Sequence, residues 1–284
     1  MNAMARSIGS GLAGAVLGLL ALGAALAGCG HAAPAVLGGS ASSDTGAPGS
    51  KAAAPSAADA PPEVRKPVDP ATAGSIRGVV RMTGAAPAPA LLVPSSEAWC
   101  MEHSGGTLPD DALLVQDGAV ANAVVFVSRG LEGYRFPPND EPVELDQQGC
   151  RYTPRVLAAQ VNQTVNVHNS DPLLHNVNAR AERNAQRNYA MPEGSTPRSF
   201  SFRKPEIAVP LACDVHPWMR GAIVVLEHPC FAITGADGTF TITGVPPGTY
   251  SLDAWHEVLG RISVEVEVAP SAQAQAPELV FRGS

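Results

Sequence analysis

Short apolar runs separated by turn residues recur from residue 75 to the end of the chain, and this pattern limits the possible folds more than any other feature. The runs are mostly rich in Val, Ile, Phe or Thr, and Gly, Pro, Asn or Asp bound them. Such spacing is typical of β-sandwiches, and no stretch has a convincing amphipathic helical period. We predict an all-β protein with strands at residues 75–82, 121–128, 142–145, 156–161, 164–168, 199–202, 206–211 and 221–226.

The last part of the sequence is the most regular. Runs at 239–243, 250–254 and 261–268 alternate apolar and polar side chains, as half-buried strands do. In Asp-Gly-Thr-Phe at 237–240 and Pro-Pro-Gly-Thr-Tyr at 246–250 the chain resembles the carboxypeptidase regulatory-like β-domains. This resemblance implies a smaller β-sandwich module that serves a structural purpose and carries no chemistry.

The N-terminal region reads as a targeting segment. The first 28 residues carry a single charge, Arg6, ahead of an apolar run, as in a secretory signal peptide. The run ends in Leu-Ala-Gly-Cys at 26–29, which resembles the lipobox of bacterial lipoproteins and implies that Cys29 becomes the lipidated first residue. The alternative is an ordinary signal peptide with Cys29 as a stray thiol. Residues 30–74, mostly Ala, Gly, Pro and Ser, are expected to form a flexible tether.

Four candidate metal ligands lie in two segments. Cys213, His216 and Met219 follow the strand at 206–211 at three-residue intervals, and His175 lies in a predicted loop after the strand at 164–168. Two imidazoles, a thiolate and a weak axial thioether make up the donor set of a blue-copper electron-transfer centre. Each residue alone is more simply a core or loop residue, but the four together favour copper. His168 is the competing candidate for the first position, and we expect it not to bind metal.

Residues 142–228 resemble the cupredoxins, and in particular those of the amicyanin type, where two residues likewise separate Cys from His and His from Met. The resemblance implies a Greek-key β-sandwich with one type 1 copper, bound by the four candidate ligands. It also implies that the side-chain amide of Asn176 ties the two ligand loops together. Val215 departs from the pattern, because amicyanin has a proline there.

In cupredoxins the second His is the exposed edge through which electrons pass. We therefore expect an exposed edge at His216, beside a docking surface that contains Pro217, Trp218 and Arg220. The predicted function is an electron carrier that cycles Cu(II)/Cu(I), is tethered in the cell envelope on the periplasmic or extracellular side of a bacterial membrane, and serves redox proteins such as c-type cytochromes or a periplasmic dehydrogenase. The alternatives are a copper-binding or delivery protein and a catalytic red-copper site, against which Met219 stands.

The remaining cysteines, the net charge and one further histidine add three expectations. Cys100 and Cys150 are candidates for a disulfide in an oxidising compartment, and Cys100–Cys230 is the competing pairing. A net charge of −7 without a basic cluster argues against nucleic acid as a partner. His256, at the end of a predicted strand, is expected to be exposed.

The expected organisation has four parts. They are a signal peptide at 1–28, the lipidated Cys and tether at 29–74, a cupredoxin-like copper domain at 75–228 with its core at 142–228, and the regulatory-like module at 229–284. Too few strands follow residue 229 for an independent sandwich. Strands from 75–133 could complete it, and the sequence leaves this open.

Overall fold

The structure is a computed structural model that describes residues 65–94 and 96–283. The predicted signal peptide, Cys29 and the tether up to residue 64 lie outside the described residues. Among the described residues, no helix is long and apolar enough to cross a bilayer.

The described chain is almost entirely β-structure, as predicted. The first part contains β1 Lys66–Pro67, β2 Gly74–Thr83, β3 Leu91–Leu92, α1 Ala98–His103, β4 Leu108–Pro109, β5 Val115–Gln116, β6 Ala119–Val120, β7 Val124–Arg129 and β8 Tyr134–Arg135. The middle part contains β9 Val143–Gln147, β10 Tyr152–Thr153, β11 Val156–Gln160, β12 Val165–Asn169, β13 His175–Ala179, β14 Arg187–Met191, β15 Arg198–Phe200, β16 Glu206–Ala212 and β17 Arg220–Leu226. The last part contains β18 Phe231–Ile233, β19 Thr239–Val245, β20 Gly248–His256, β21 Gly260–Val268, β22 Gln273–Gln275 and β23 Leu279–Arg282.

Strands β9 to β17 form one two-sheet sandwich, here named the central sandwich. One sheet has the order β10-β9-β12-β15 and the other β11-β17-β16-β13-β14. Apolar side chains from both sheets, such as Leu145, Val167, Val209 and Ile223, fill its core. In the antiparallel pair of β13 and β16, Asn178 lies opposite Ala212, the last residue of β16, so the start of β13 lies beside the loop that follows β16. The segment that precedes β13 and the loop that follows β16 therefore meet at one end of this sandwich.

The hairpin of β13 and β14 was absent from the predicted strands, and the placement of His175 in a loop was wrong. His175 is the first residue of β13 and pairs with Met191 of β14. The pattern was missed because two of the five β13 residues, Asn176 and Asn178, are polar and bond to Asp214. Periodicity of apolar residues alone does not reveal a strand of this kind.

Strands from both ends of the described chain build the second sandwich, here named the outer sandwich. One sheet has the order β18-β7-β20-β21, and the other has the order β19-β2-β6-β5 with β22 and β23 also paired to β2. Thus strands that precede residue 130 pair with strands that follow residue 230, around a core that includes Ile76, Phe240, Tyr250 and Leu279. Residues before Gly74 also take part in this fold, since Lys66 of β1, within the predicted tether, donates its N–H to the carbonyl of Gly133 at 3.0 Å.

The two sandwiches share a small apolar core and a buried ion cluster. Val124 and Phe126 of β7 pack with side chains of β11 and β17. Beside them the Arg155 guanidinium lies 2.6 Å from a carboxylate oxygen of Asp111 and 2.6 Å from one of Glu257. These contacts join the end of the central sandwich that carries Arg155 to the β20–β21 turn of the outer one.

Candidate metal centre

Three of the four predicted ligands converge at the end of the central sandwich where β13 begins and β16 ends. Nδ1 of His175 lies 2.8 Å from Nδ1 of His216, and Sγ of Cys213 lies 3.7 Å from the same Nδ1 of His216. All three donor atoms lie within 4.8 Å of one another. The residues are 0%, 1% and 3% exposed for His175, His216 and Cys213. Three donors with suitable lone pairs thus face one another away from solvent.

The loop between β16 and β17 is folded by its own backbone. The N–H of His216 donates to Sγ of Cys213 at 3.3 Å, and the N–H of Met219 donates to the carbonyl of His216 at 2.9 Å. The N–H of Cys213 in turn donates to the carbonyl of Met219 at 3.1 Å. Met219 is 1% exposed and packs in the same apolar core as Cys213. The three-residue spacing therefore closes a tight loop that holds all three side chains inward.

A carboxylate that the sequence analysis did not identify lies behind the first ligand. Oδ2 of Asp171 accepts a hydrogen bond from Nε2 of His175 at 2.8 Å. Asp171 is buried near the start of the loop that joins β12 to β13. The sequence signal for this contact is that Asp171 lies four residues before a histidine. Many Asp and Glu residues have a histidine at that distance, so the signal is weak.

A second network links the two ligand segments through Asn176. Its Oδ1 accepts from the N–H of Asp214 at 2.5 Å, and its Nδ2 donates to Oδ2 of Asp214 at 3.0 Å. Asn178, Asn188 and Arg180 also donate to the Asp214 carboxylate. These bonds hold the pKa of Asp214 down at about 2. The residue after Cys213 is thereby anchored to the β13–β14 hairpin.

The electrostatics of the metal-free site favour an ionised sulfur. Burial raises the pKa of Cys213, but hydrogen bonds from His175, His216 and nearby amides outweigh it and lower that pKa to about 6. Burial lowers the pKa of His175, but its bonds to Asp171 and Cys213 outweigh the burial and raise that pKa. A thiolate beside imidazole nitrogens is the form in which cysteine binds metals.

The donor set fits copper. A thiolate and two imidazoles, with a thioether nearby in the sequence, match the soft and borderline ligands of copper and provide no hard oxygen cage. Nε2 of His216 is buried and has no hydrogen-bond partner within the described part of the chain. Nδ1 is the nitrogen of His216 that lies on the side of Cys213 and His175.

The expectation that His216 presents an exposed edge is wrong. Its ring is 1% exposed, and the half-buried Trp218 packs against it with ring centroids 5.0 Å apart. Pro217 and Arg220 are exposed. Val215, which is 42% exposed, adds apolar surface to the same loop. Trp218 is held in place by a bond from Nε1 to the carbonyl of Cys150 at 3.2 Å.

The other sequence candidates lie elsewhere. Cys100 of α1 and Cys150 form a disulfide, and Cys230 is a separate buried thiol in the core of the outer sandwich. His168 lies on β12 with Nε2 2.6 Å from a carboxylate oxygen of Glu144, outside the cluster of donors. The expected exposure of His256 is wrong, since this side chain is buried in the outer sandwich.

Several solved structures of copper proteins resemble part of the chain. A mutant of amicyanin in the oxidized state is 26% identical over 30% of this chain and 83% of its own, with a TM-score of 0.27. A mutant of amicyanin in the Cu(I) state is 24% identical over 31% of this chain and 84% of its own, with a TM-score of 0.27. A copper-containing nitrite reductase from Thermus scotoductus SA-01 is 23% identical over 36% of this chain and 25% of its own, with a TM-score of 0.27. The chain thus spans about a quarter of that reductase. No protein-family model and no curated protein matches the chain.

Proposed function

We propose that the protein is an electron carrier with a single type 1 copper ion bound by His175, Cys213, His216 and Met219. The observation that carries this proposal is the convergence of His175 Nδ1, His216 Nδ1 and Cys213 Sγ within 4.8 Å in a buried site. Bound copper would supply a one-electron Cu(II)/Cu(I) couple. The two hydrogen-bonded ligand segments hold the donors in one arrangement, which limits rearrangement when the charge changes.

Burial of the donors favours a carrier over the alternatives. A catalytic copper site needs an open position for substrate, whereas all four proposed ligands are at most 3% exposed. A delivery protein needs a partner to reach the metal and displace its ligands, and the same burial opposes that. Electron transfer needs only a small contact area between two proteins. The loop over the site provides such an area at Val215, Pro217 and Trp218. Contacts of this kind are small and transient.

The environment of the carrier is also part of the proposal. The lipobox-like sequence ending in Cys29 and the Ala/Pro-rich segment after it support a tether on the outer side of a bacterial membrane. The disulfide between Cys100 and Cys150 suits such an oxidising compartment. Redox partners would then be envelope proteins, such as c-type cytochromes or a periplasmic dehydrogenase, that dock at the surface of Pro217, Trp218 and Arg220.

The test is a copper titration of the full chain, followed by visible absorption and electron paramagnetic resonance. We expect one copper per chain and an intense thiolate-to-copper band that disappears in Cys213→Ser. The matched control is Cys230→Ser, because Cys230 is equally buried and free but lies in the other sandwich. A colourless wild-type chain, or a band that persists in Cys213→Ser, would refute the proposal.

A further inference from the structure

One buried carboxylate connects the first proposed ligand to the disulfide. Asp171 is 4% exposed. Besides His175, it accepts from the N–H of Gly149 through Oδ1 at 2.7 Å and from the N–H of Cys150 through Oδ2 at 2.8 Å. Three donors thus converge on one anion, which is the way in which buried charges are stabilised.

The bond from His175 to Asp171 fixes which ring nitrogen carries a proton. Asp171 accepts from Nε2, so a proton lies on Nε2, and Nδ1 is the ring nitrogen left to bind a metal. That Nδ1 is the atom that faces His216 and Cys213. A carboxylate behind a ligating histidine orients the ring and raises its basicity. The bond to Asp171 therefore orients the ring so that Nδ1 points to the donor cluster.

The turn that supplies the two amides is held by the disulfide. Gly149 and Cys150 have φ values of 63° and 59°, and the left-handed conformation is costly for a residue with a side chain such as Cys150. Cys150 is bonded to Cys100 of α1, and its carbonyl accepts from the indole of Trp218. The backbone of Cys150 therefore contacts the residue behind His175 through its N–H and the residue packed on His216 through its carbonyl.

We propose that Asp171, anchored by the disulfide-linked turn at Gly149 and Cys150, is the positioning residue that fixes His175 for copper and favours Cu(II) over Cu(I). This inference rests on the proposed copper function. The oxidised metal carries the greater positive charge, so a negative carboxylate one imidazole away stabilises it more than the reduced metal. The segment that contains α1, which lies outside the central sandwich, thereby contributes to the properties of the metal centre.

Asp171→Asn keeps a similar shape and an acceptor for Nε2 but removes the charge. We expect the ratio of Cu(II) to Cu(I) affinity to fall about tenfold, which raises the one-electron potential by about 59 mV. The probes are copper ions alone, with voltammetry of the full chain and a chelator competition for each oxidation state. We also expect a changed electron paramagnetic resonance spectrum, because the ring is held less firmly.

The matched control is Asp146→Asn. Asp146 bonds to the backbone and hydroxyl of Ser170, next to Asp171, but does not contact His175. This variant removes one negative charge from β9, beside the loop that contains Asp171. It should keep the wild-type spectrum and leave the ratio of Cu(II) to Cu(I) affinity within about threefold of the wild-type value. If Asp171→Asn changes the ratio no more than Asp146→Asn does, the inference is wrong.

Two further measurements separate this inference from the proposed function. In the metal-free chain, nitrogen NMR should find a proton on Nε2 of His175; the absence of a proton from Nε2 overturns the inference whether or not copper binds. Removal of the disulfide by Cys100→Ser with Cys150→Ser should lower the affinity ratio as Asp171→Asn does, and an unchanged ratio in a folded variant overturns the part assigned to the disulfide. A wild-type chain that binds no copper refutes the proposed function itself.

Discussion

Acid should destabilise the outer sandwich through His256. Its side chain is 1% exposed, its Nδ1 accepts from the N–H of Val258 at 3.2 Å, and the ring of Phe281 lies 6.4 Å away. Burial and the nearby Arg155 charge lower the pKa of His256 to about 4, against the opposing effect of a bond to the backbone of Ala121. The folded chain therefore keeps this imidazole neutral where the unfolded chain protonates it.

The direction and magnitude of the pH effect on stability follow from the difference between the folded and unfolded pKa of His256. Between pH 6.5 and pH 4 the unfolded state binds the additional proton, so the free energy of unfolding falls as the pH falls through that window. With an ordinary pKa of about 6.5 in the unfolded chain, the loss between pH 7 and pH 5 is about 2 kcal/mol, and the full shift corresponds to about 3 kcal/mol.

The test compares wild type with His256→Asn, which retains an acceptor for the Val258 N–H but does not titrate. Urea unfolding of the metal-free chains at pH 7 and pH 5, followed by tryptophan fluorescence and circular dichroism, gives each change in the free energy of unfolding. The other titrating groups are common to both proteins, so their effects cancel in the difference. We expect the wild type to lose about 2 kcal/mol more than the variant. Equal losses would refute the burial argument for this histidine.

Three further outcomes are expected. Arg155→Met should lower the free energy of unfolding by about 3 kcal/mol, because it leaves the partly buried Glu257 unpaired and removes one of the two arginines that bond to Asp111. Arg180→Met breaks an exposed pair and should lower it by less than about 1 kcal/mol. Gly221→Ala should cost about 2 kcal/mol in the same assay, since its Cβ would lie 2.5 Å from the Arg155 carbonyl oxygen, and Gly133→Ala, with open space around it, should cost far less. In the metal-free chain, the lowered pKa of Cys213 should make it react with iodoacetamide at pH 7.5 once the loop opens, and copper should block that reaction, as read by peptide mass spectrometry. Equal losses in the free energy of unfolding for Arg155→Met and Arg180→Met, or for Gly221→Ala and Gly133→Ala, would contradict these expectations. Labelling of Cys213 that copper leaves unchanged would also do so.

The sequence predicted the short-range part of the site and missed what depends on distant contacts. Cys213, His216 and Met219 lie in one loop with a spacing that the donor chemistry makes recognisable. Asp171 was missed because the amides that stabilise it come from a turn about twenty residues earlier, to which no motif points. The burial of His216 likewise depends on Trp218, whose own position depends on the carbonyl of Cys150.

For the fold, too, local features were predicted and long-range pairings were not. Short apolar runs bounded by turn residues predicted most strands of the central sandwich. They failed at β13 and β14, where asparagines bond to Asp214 and interrupt the apolar run. The sequence left open whether the early strands complete the final module. In the structure β2 and β7 pair with strands after residue 230, and register of this kind depends on partners too far apart for any local pattern to identify.

The pairing in the outer sandwich has a consequence for the order in which the chain folds. β2 is among the first strands to be synthesised, yet its partners include β22 and β23 at the other end, and Arg77 meets Gln275 across 198 residues of sequence. Contacts between such distant residues form slowly, and until they form the early strands present open edges to other chains. A chain that stopped after β17 would contain every proposed copper ligand and still leave β2 and β7 without most of their neighbours. Truncation should therefore appear first as aggregation rather than as loss of metal binding.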